Sequence, residues 1–563
     1  MARNNINSVL LRRPKRNKFD LSRVNKLTCE AGEIVPFFLE ECVPDDSFKL
    51  ATANRIRLAP QVLPLMHQID VSMYWFFVPT RILWPNWEEF ITGGKDGTSA
   101  PIIPYKNFSQ GTSTSYKTAG VGMLSDYLGI PTNAAGTVDG VINSSSYNFL
   151  PFSAYVKIYN DYFRDQNFTD ELPFELHDGP QALTSVSESN ITHCIEAIYG
   201  FSSSGDSGAP RSWQRVYGGC FLASWKKEYF TSALPNTQRG PIVNIPLGDT
   251  APVVYGDDAK TDSMTGYSYL TIEGKTTPGN VVGSHTNTAG KKMGVYSNTS
   301  NTSYASPVYA DLSEATNTNI IELRRAFRIQ EFLERMNAGG SRLTEMIYSM
   351  FGVKSPDARL QRAEFIGASH NPVLVDAVYQ TSASQEGSPL ADFAGKALSV
   401  GGQKPISYYC KEHGYIMGVM VIRPRPEYQN ITRRHWLHGL TGKFDYFWPV
   451  LAHIGDQEIL NRELFAGSGG SNLNEPFGYV PRYQEYRFAP SETHGEMQTA
   501  LKYFHMNRIF DRLPVLNQQF MNCNPRTDMF TVADGQVSHH YWCEILIGCQ
   551  AKRPIPKFGT PML

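Results

Sequence analysis

No stretch of this chain approaches the roughly 18 apolar residues that a membrane-spanning helix requires. Its longest apolar runs, Met73–Val78 and Tyr415–Ile422, are strand-sized. The N-terminal region lacks the apolar core of a secretory signal, so a product of a reducing cytosol, with no membrane insertion, is expected. Cysteine is sparse, 8 in 563 residues, at positions 29, 42, 194, 220, 410, 523, 543 and 549 with no Cys-x-x-Cys. That scatter predicts buried, reduced thiols and argues against a disulfide framework. The sequons at Asn107, Asn167 and Asn190 are then the chance yield of an Asn/Ser/Thr-rich composition. Charge is scarce as well: Asp, Glu, Lys and Arg make up 19%, against about a quarter in an average protein. With 52 Lys+Arg against 53 Asp+Glu the net charge is −1, which excludes a uniformly basic coat. Any contact with nucleic acid must use segregated cations.

Enzyme signatures are missing too. There is no G-x-x-x-x-G-K-[ST], H-E-x-x-H or G-x-S-x-G. Gly467-Ser-Gly-Gly-Ser lacks the spacing of a dinucleotide loop, and His494-Gly-Glu lacks the Pro-Cys-x-x-Cys partner of a deaminase. Cys523, His539, His540, Cys543 and Cys549 form the densest group of potential metal ligands. Without paired spacing they read as packed core thiols, so neither metal nor cofactor is expected. Asp257-Asp258 reads as a solvated turn. A carbohydrate-binding or carbohydrate-active β-sandwich is the alternative from another class, with Glu88/Glu89 or Asp257/Asp258 as its acids. Neighbouring carboxylates point apart on a strand, whereas glycoside hydrolysis needs two facing acids about 5–10 Å apart. The residues alone leave this reading open beside a structural one.

Material for a core is plentiful: 41% of residues are hydrophobic and 12% aromatic. At about 150 residues per domain the length allows about four domains, or one large β domain with long insertions. Ile34–Glu40 and Asp70–Val78 are β-rich runs bounded by turn residues, and Val71, Met73, Trp75 and Phe77 alternate onto one strand face. Similar runs return at Tyr415–Ile422 and His540–Ile547. Strands at both ends of a long chain predict a sheet that closes only when the C-terminus returns. Between them, residues 92–148 read as loops and Ser153–Asp165 as a short helix. Ile320–Asn337 is the best helix: Leu323, Ala326, Phe327, Ile329, Phe332, Leu333 and Met336 follow its period, and Asn337-Ala-Gly-Gly ends it.

Three regions segregate charge or polarity. Arg3, Arg12, Arg13, Lys15, Arg16 and Lys18 form a basic arm without acids, suited to nucleic acid or to a frayed terminus. Arg423, Arg425, Arg433 and Arg434 interleave with Tyr428 and Trp436, which fits stacking on single strands and Arg–carboxylate packing equally well. Lys552 and Arg553 open a proline-stiffened basic tail. Residues 241–310 contain no Phe, Trp or Cys; their aromatics include Tyr255, Tyr267, Tyr269, Tyr296 and Tyr304. That alphabet favours a small projecting β element for adaptable contacts over a linker.

Three ordered segments resemble the major capsid proteins of the microviruses, small icosahedral single-stranded-DNA phages, and among them the gokushoviruses. They are Leu150-Pro-Phe-Ser-Ala-Tyr with Phe163-Arg-Asp-Gln-Asn, Trp225–Pro235 with Gln238-Arg-Gly, and Leu323-Arg-Arg-Ala-Phe through Ser355-Pro-Asp-Ala-Arg to Gln380-Thr-Ser. Phe19-Asp-Leu-Ser and the run from His67 to Pro79 agree. Ser153, Glu228 and Ala363 depart from the family pattern, which has Arg, Asp and Pro there; Pro235-Asn-Thr-Gln also replaces a Trp-containing turn.

The resemblance implies a mainly β fold, an eight-stranded antiparallel jelly-roll of the viral capsid type with long loop insertions containing short helices. It divides the chain into a basic arm (1–24), the first part of the barrel (25–240), a surface protrusion (241–310), and a helical insertion with the remaining strands and tail (311–563). It implies a non-enzymatic subunit of a T = 1 shell, found in the virion and assembled in the bacterial cytoplasm. The implied partners are further copies of itself, a circular single-stranded DNA genome, an internal scaffolding protein, a DNA pilot protein and a host surface receptor met by the protrusion. The arm carries too few cations to neutralise a genome, so polyamines, metal ions or a small basic phage protein are expected to assist.

Overall fold

A computed structural model describes residues 15–107, 122–130, 146–172, 174–180, 220–241, 243, six strands between 253 and 310, 320–340, 342–379, 393–467, 470–531 and 539–557. The chain divides into two compact units, Met1–Thr237 with Asn337–Leu563, and Gln238–Met336.

The first unit is a jelly-roll of two antiparallel sheets. Its strands are β1 (Asn17–Asp20), β2 (Arg23–Cys29), β3 (Ile34–Cys42), β4 (Ser47–Leu58), β5 (Ile69–Pro79), β6 (Glu364–Pro372), β7 (Leu374–Tyr379), β8 (Phe393–Tyr409), β9 (Gly414–Pro424) and β10 (Tyr541–Arg553). A six-stranded sheet runs β1-β10-β4-β8-β7, with β2 also pairing β10, and a four-stranded sheet runs β6-β5-β9-β3. From β2 to β5 the chain alternates between the sheets, and it does so again from β8 to β10. The expected count of eight strands is therefore not the one observed: β1 and β7 lengthen the edges of the six-stranded sheet. The C-terminal strand inserts between β4 and the N-terminal strands, pairing Cys543 with Leu27 on one side and Ile56 on the other. The N–H of His540 donates to Glu30 Oε1 at 2.8 Å, fastening this closure just before β10.

The sheets meet through a core that includes Phe37, Phe38, Leu50, Ile56, Trp75, Ile416, Met420, Ile545 and Ile547. Full burial of each such large side chain stabilises by about 1.5–3 kcal/mol. Trp75 packs edge-on to Phe37 and Phe38, at 5.2 and 5.1 Å between centroids. Its Nε1 donates to Gln403 Oε1 of the opposite sheet at 2.7 Å, so the one polar atom of the ring is satisfied. Gly418 in β9 is required here, because a Cβ would stand 2.6 Å from Phe37 Cζ.

The two sheets differ on their outer faces. In β4 and β10 burial alternates residue by residue, the mark of a strand with one face in water. In β5 the expected one-sided burial is not observed, since Phe76 and Val78 are buried together with Met73, Trp75 and Phe77. Helix α1 (Leu150–Ile158) and the π turn Tyr159–Phe163 that continues it lie over this face. Tyr162 sits 4.7 Å from Phe76, and Tyr155 Oη donates to the Ile34 carbonyl at 2.7 Å. The four-stranded sheet is thus covered by an insertion, while the outer residues of β4 and β10 stay largely exposed among the described residues.

The second unit has a six-stranded antiparallel sheet of its own. Its longest hairpin pairs Asn280–Asn287 with Gly290–Ser297, and Tyr304–Ala310 joins the latter. Helix α2 (Ile320–Gly339) matches the predicted start and runs slightly past the predicted end. Phe327, Ile329 and Phe332 on its apolar side are exposed among the described residues.

Candidate assembly and nucleic-acid surfaces

The basic termini come together on one edge of the six-stranded sheet. Arg3, Arg12 and Arg13 lie outside the described residues. Lys15 is exposed just before β1, and Lys18 stands opposite Lys552 across the β1–β10 pair, both exposed. Arg16 is turned inward: its Nη1 lies 3.5 Å from Asp45 Oδ1, and its Nη2 donates to Ser47 Oγ. Arg553 likewise serves the barrel, pairing with Glu40 at 3.1 Å and Asp46 at 3.5 Å.

The Arg423–Arg434 stretch is packed by carboxylates and carbonyls. Arg423 donates to the Ser224 carbonyl at 3.1 Å and Tyr74 Oη at 3.2 Å. Arg425 pairs with Asp70 at 3.2 Å, and Arg433 pairs with Glu492. Arg434 reaches Glu463 at 2.7 Å. Burial raises the Glu463 carboxyl above its usual range, against the pull of Arg434. Arg433 and Arg434 are thus each ion-paired with a carboxylate of the same subunit.

Next to it lies a surface that sequence reasoning missed. Residues 434–454 fold into three short 3₁₀ turns that leave Trp436, Leu440, Phe444, Tyr446, Phe447, Trp448, Val450 and Ile454 exposed. Trp436 is 73% accessible and Val450 89%. The loop is nonetheless well tied. Asp445 accepts from the N–H groups of Gly439 and Thr441 at 3.0 and 3.1 Å. Tyr483 Oη donates to the Tyr446 carbonyl at 3.1 Å, and Trp448 Nε1 to the Lys443 carbonyl at 2.9 Å. Many large apolar groups exposed on one tied-down loop mark a surface of the kind that a macromolecular partner covers. Its signal was aromatic density without helical or strand period, interrupted by Gly439, Gly442 and Pro449.

In the second unit, the strand backbones hold Tyr269 opposite Gly283, Tyr296 opposite Val281, Tyr304 opposite Thr261 and Tyr255 opposite Val308. Tyr267 lies outside the described residues.

The thiols at Cys29, Cys42, Cys220, Cys410, Cys523, Cys543 and Cys549 are buried and reduced, none of them in a disulfide. Burial pushes Cys523 up to about 12 and Cys549 up to about 11, which keeps both protonated and poorly nucleophilic. Cys194 is outside the described residues. No group of three potential metal ligands converges among the described residues. None of their helices is long and apolar enough to cross a membrane.

A jelly-roll of two antiparallel sheets with a long insertion over one of them is consistent with the viral capsid class. The family model described as "Capsid protein (F protein)" matches residues 7–563, and the chain belongs to that family. Capsid protein VP1 of Chlamydia phage 1 is 31% identical over 98% of this chain and 96% of its own length. The VP1 proteins of Bdellovibrio phage phiMH2K and Spiroplasma virus 4 are 32% and 29% identical over 90% and 97% of this chain. All three come from microviruses. The chain is accordingly a major capsid protein of the virion, a structural protein and not an enzyme.

Proposed function

We propose that this capsid protein closes into a T = 1 icosahedral shell around circular single-stranded DNA, with the six-stranded sheet facing the genome. The observation that carries this orientation is the asymmetry of the barrel. The four-stranded sheet is covered by α1 and the turn that follows it, whereas the outer face of the six-stranded sheet, among the described residues, leaves Lys18, Lys49, Arg55, Arg57 and Lys552 exposed. The arm enters that sheet and the tail leaves it. Contact is sequence-independent, through cations and stacking, because a shell must cover any genome sequence.

Closure uses copies of the chain meeting through surfaces such as the 434–454 loop. Each contact can be modest, because a closed shell repeats it around the particle. The Tyr-bearing sheet within 241–310 serves host attachment. Scaffolding and pilot proteins guide assembly and delivery, and a small basic protein or polyamines complete the charge balance.

Negative-stain images of purified particles, with and without residues 2–14, test the reading. Small spheres of normal size that hold less nuclease-protected DNA after the deletion are expected. Monodisperse single subunits from the intact chain oppose a shell, and unchanged DNA content removes the arm's role.

A further inference from the structure

The outer face of the six-stranded sheet contains a cleft of about 660 Å³ whose lining includes Lys26, Arg55, Arg57, Tyr127 and Trp542. That volume lies in the range of small-ligand sites. Its floor is a cross-strand row: Thr28 pairs with Trp542, and Trp542 pairs with Arg57. The next row is Lys26, Glu544 and Arg55. Side chains opposed in this way on one sheet face touch or nearly touch. One wall is the segment Gly122–Tyr127, held to the sheet by Tyr127 Oη donating to the Thr28 carbonyl at 2.6 Å. Asp126, an acidic member of the lining, accepts the Gly122 N–H at 2.9 Å.

Lys26, Arg55 and Arg57 have neither ion-pair partners nor side-chain hydrogen bonds among the described residues. Trp542 is 39% accessible. A large ring left this accessible beside Arg57, with the Lys26–Glu544–Arg55 row next to it, is costly as surface and apt as a platform. Bases stack on indole without regard to sequence, and the flanking phosphates fall within reach of the cations.

We infer that this cleft holds one unstacked nucleotide of single-stranded DNA, its base against Trp542 and its phosphates among Arg55, Arg57 and Lys26. The inference rests on the DNA-facing orientation proposed above, and adds to it a defined subsite on the rigid sheet in place of a purely diffuse arm. Base specificity is not expected, since every base offers a π-face to the indole.

The test uses the full-length chain, an eight-residue oligothymidylate and an abasic deoxyribose-phosphate oligomer of equal length. The native chain should prefer the base-bearing oligomer on the order of 10-fold, the gain of one stacked base. Trp542→Leu should abolish that preference and leave abasic binding unchanged. Arg55→Gln with Arg57→Gln should weaken both oligomers and lower the log–log salt slope by about 1.4. These side chains point outward, so unchanged thermal midpoints are expected, and ultraviolet crosslinking of the native chain should mark the peptide containing Trp542. If Trp542→Leu keeps the preference, the cleft is not the stacking site, although the broader DNA reading survives. Equal binding of both oligomers by the native chain leaves only phosphate contact and overturns the inference. If the native chain binds neither at low salt, the DNA-facing orientation fails and the subsite with it.

Discussion

Lys18 and Lys552 stand directly opposite one another across β1 and β10, and both are exposed. Opposed like charges on a sheet cost a few tenths of a kcal/mol up to about 1 kcal/mol. A strand pair that keeps them suits an anion bridging the two. Replacing both with Gln should therefore stabilise the subunit by up to about 1 kcal/mol while lowering the salt slope of DNA binding by about 1.4. Urea unfolding and salt titrations on the same variant measure both. Lower stability would show that the lysines hold the strands by some contact other than charge.

Arg434 illustrates the opposite use of a cation. Glu463 has a side chain only 1% accessible, 2.7 Å from Arg434, and also accepts from Tyr229 Oη at 3.0 Å and from the Leu460 N–H at 3.0 Å. Arg434→Ala should destabilise by about 3–5 kcal/mol, because it strands a buried carboxylate. Arg434→Ala with Glu463→Gln should recover most of that loss. Neither variant should alter the salt slope of DNA binding. A changed slope with intact stability would assign Arg434 to the nucleic acid after all.

These two cases mark what the sequence could and could not convey. A sheet closed by the returning C-terminus was legible from the β-rich runs at both ends, because alternation and closure are local patterns plus one topological rule, whereas the jelly-roll itself came with the family resemblance. The basic arm was legible as a charge block. Arg433 and Arg434 were not decidable, because their partners Glu492 and Glu463 lie far along the chain and nothing local encodes those distances. Arg55 and Arg57 were hidden for another reason: they alternate with Ile56 and Leu58 as any half-buried strand does, and only pairing with β10 brings them beside Trp542. The outer burial of Phe76 was missed because an insertion supplies it.

The loop at 434–454 yields a prediction about assembly. Large aromatic or aliphatic side chains at the centre of an interface cost about 2 kcal/mol or more when truncated. Val450→Asp or Trp436→Ala should leave the subunit's unfolding curve nearly unchanged and raise the concentration at which shells form by at least about 10-fold. Light scattering against protein concentration reads the threshold. An unshifted threshold would mean that some other partner covers this loop in the particle.

Replacing residues 241–310 with a short Gly/Ser linker should spare shell formation and abolish infection. The strands of this segment make a sheet of their own, so their removal takes no strand from the barrel. Particle yield by electron microscopy and plaque counts separate the two effects. Loss of particles would make the segment an assembly element instead of an attachment element.

Glu228 links the fold to pH. It stands where the family resemblance expects Asp, and burial raises its carboxyl above the usual range. Tyr428 Oη donates to its Oε1 at 2.6 Å, and the N–H groups of Phe230 and Thr231 donate at 3.1 Å. These bonds oppose the shift without cancelling it, and Oε2 is buried without a hydrogen-bond partner. A carboxyl raised in the folded state binds its proton more tightly there than in the unfolded chain. Its contribution to stability is full below the unfolded value near 4.5 and is lost as pH climbs through the folded value. Glu228→Gln keeps an oxygen for the three donors and removes the charge. Its thermal midpoint should match that of the native chain at pH 4 and exceed it increasingly toward pH 7. A midpoint that falls below the native value at neutral pH would show that attraction to Arg508 outweighs burial.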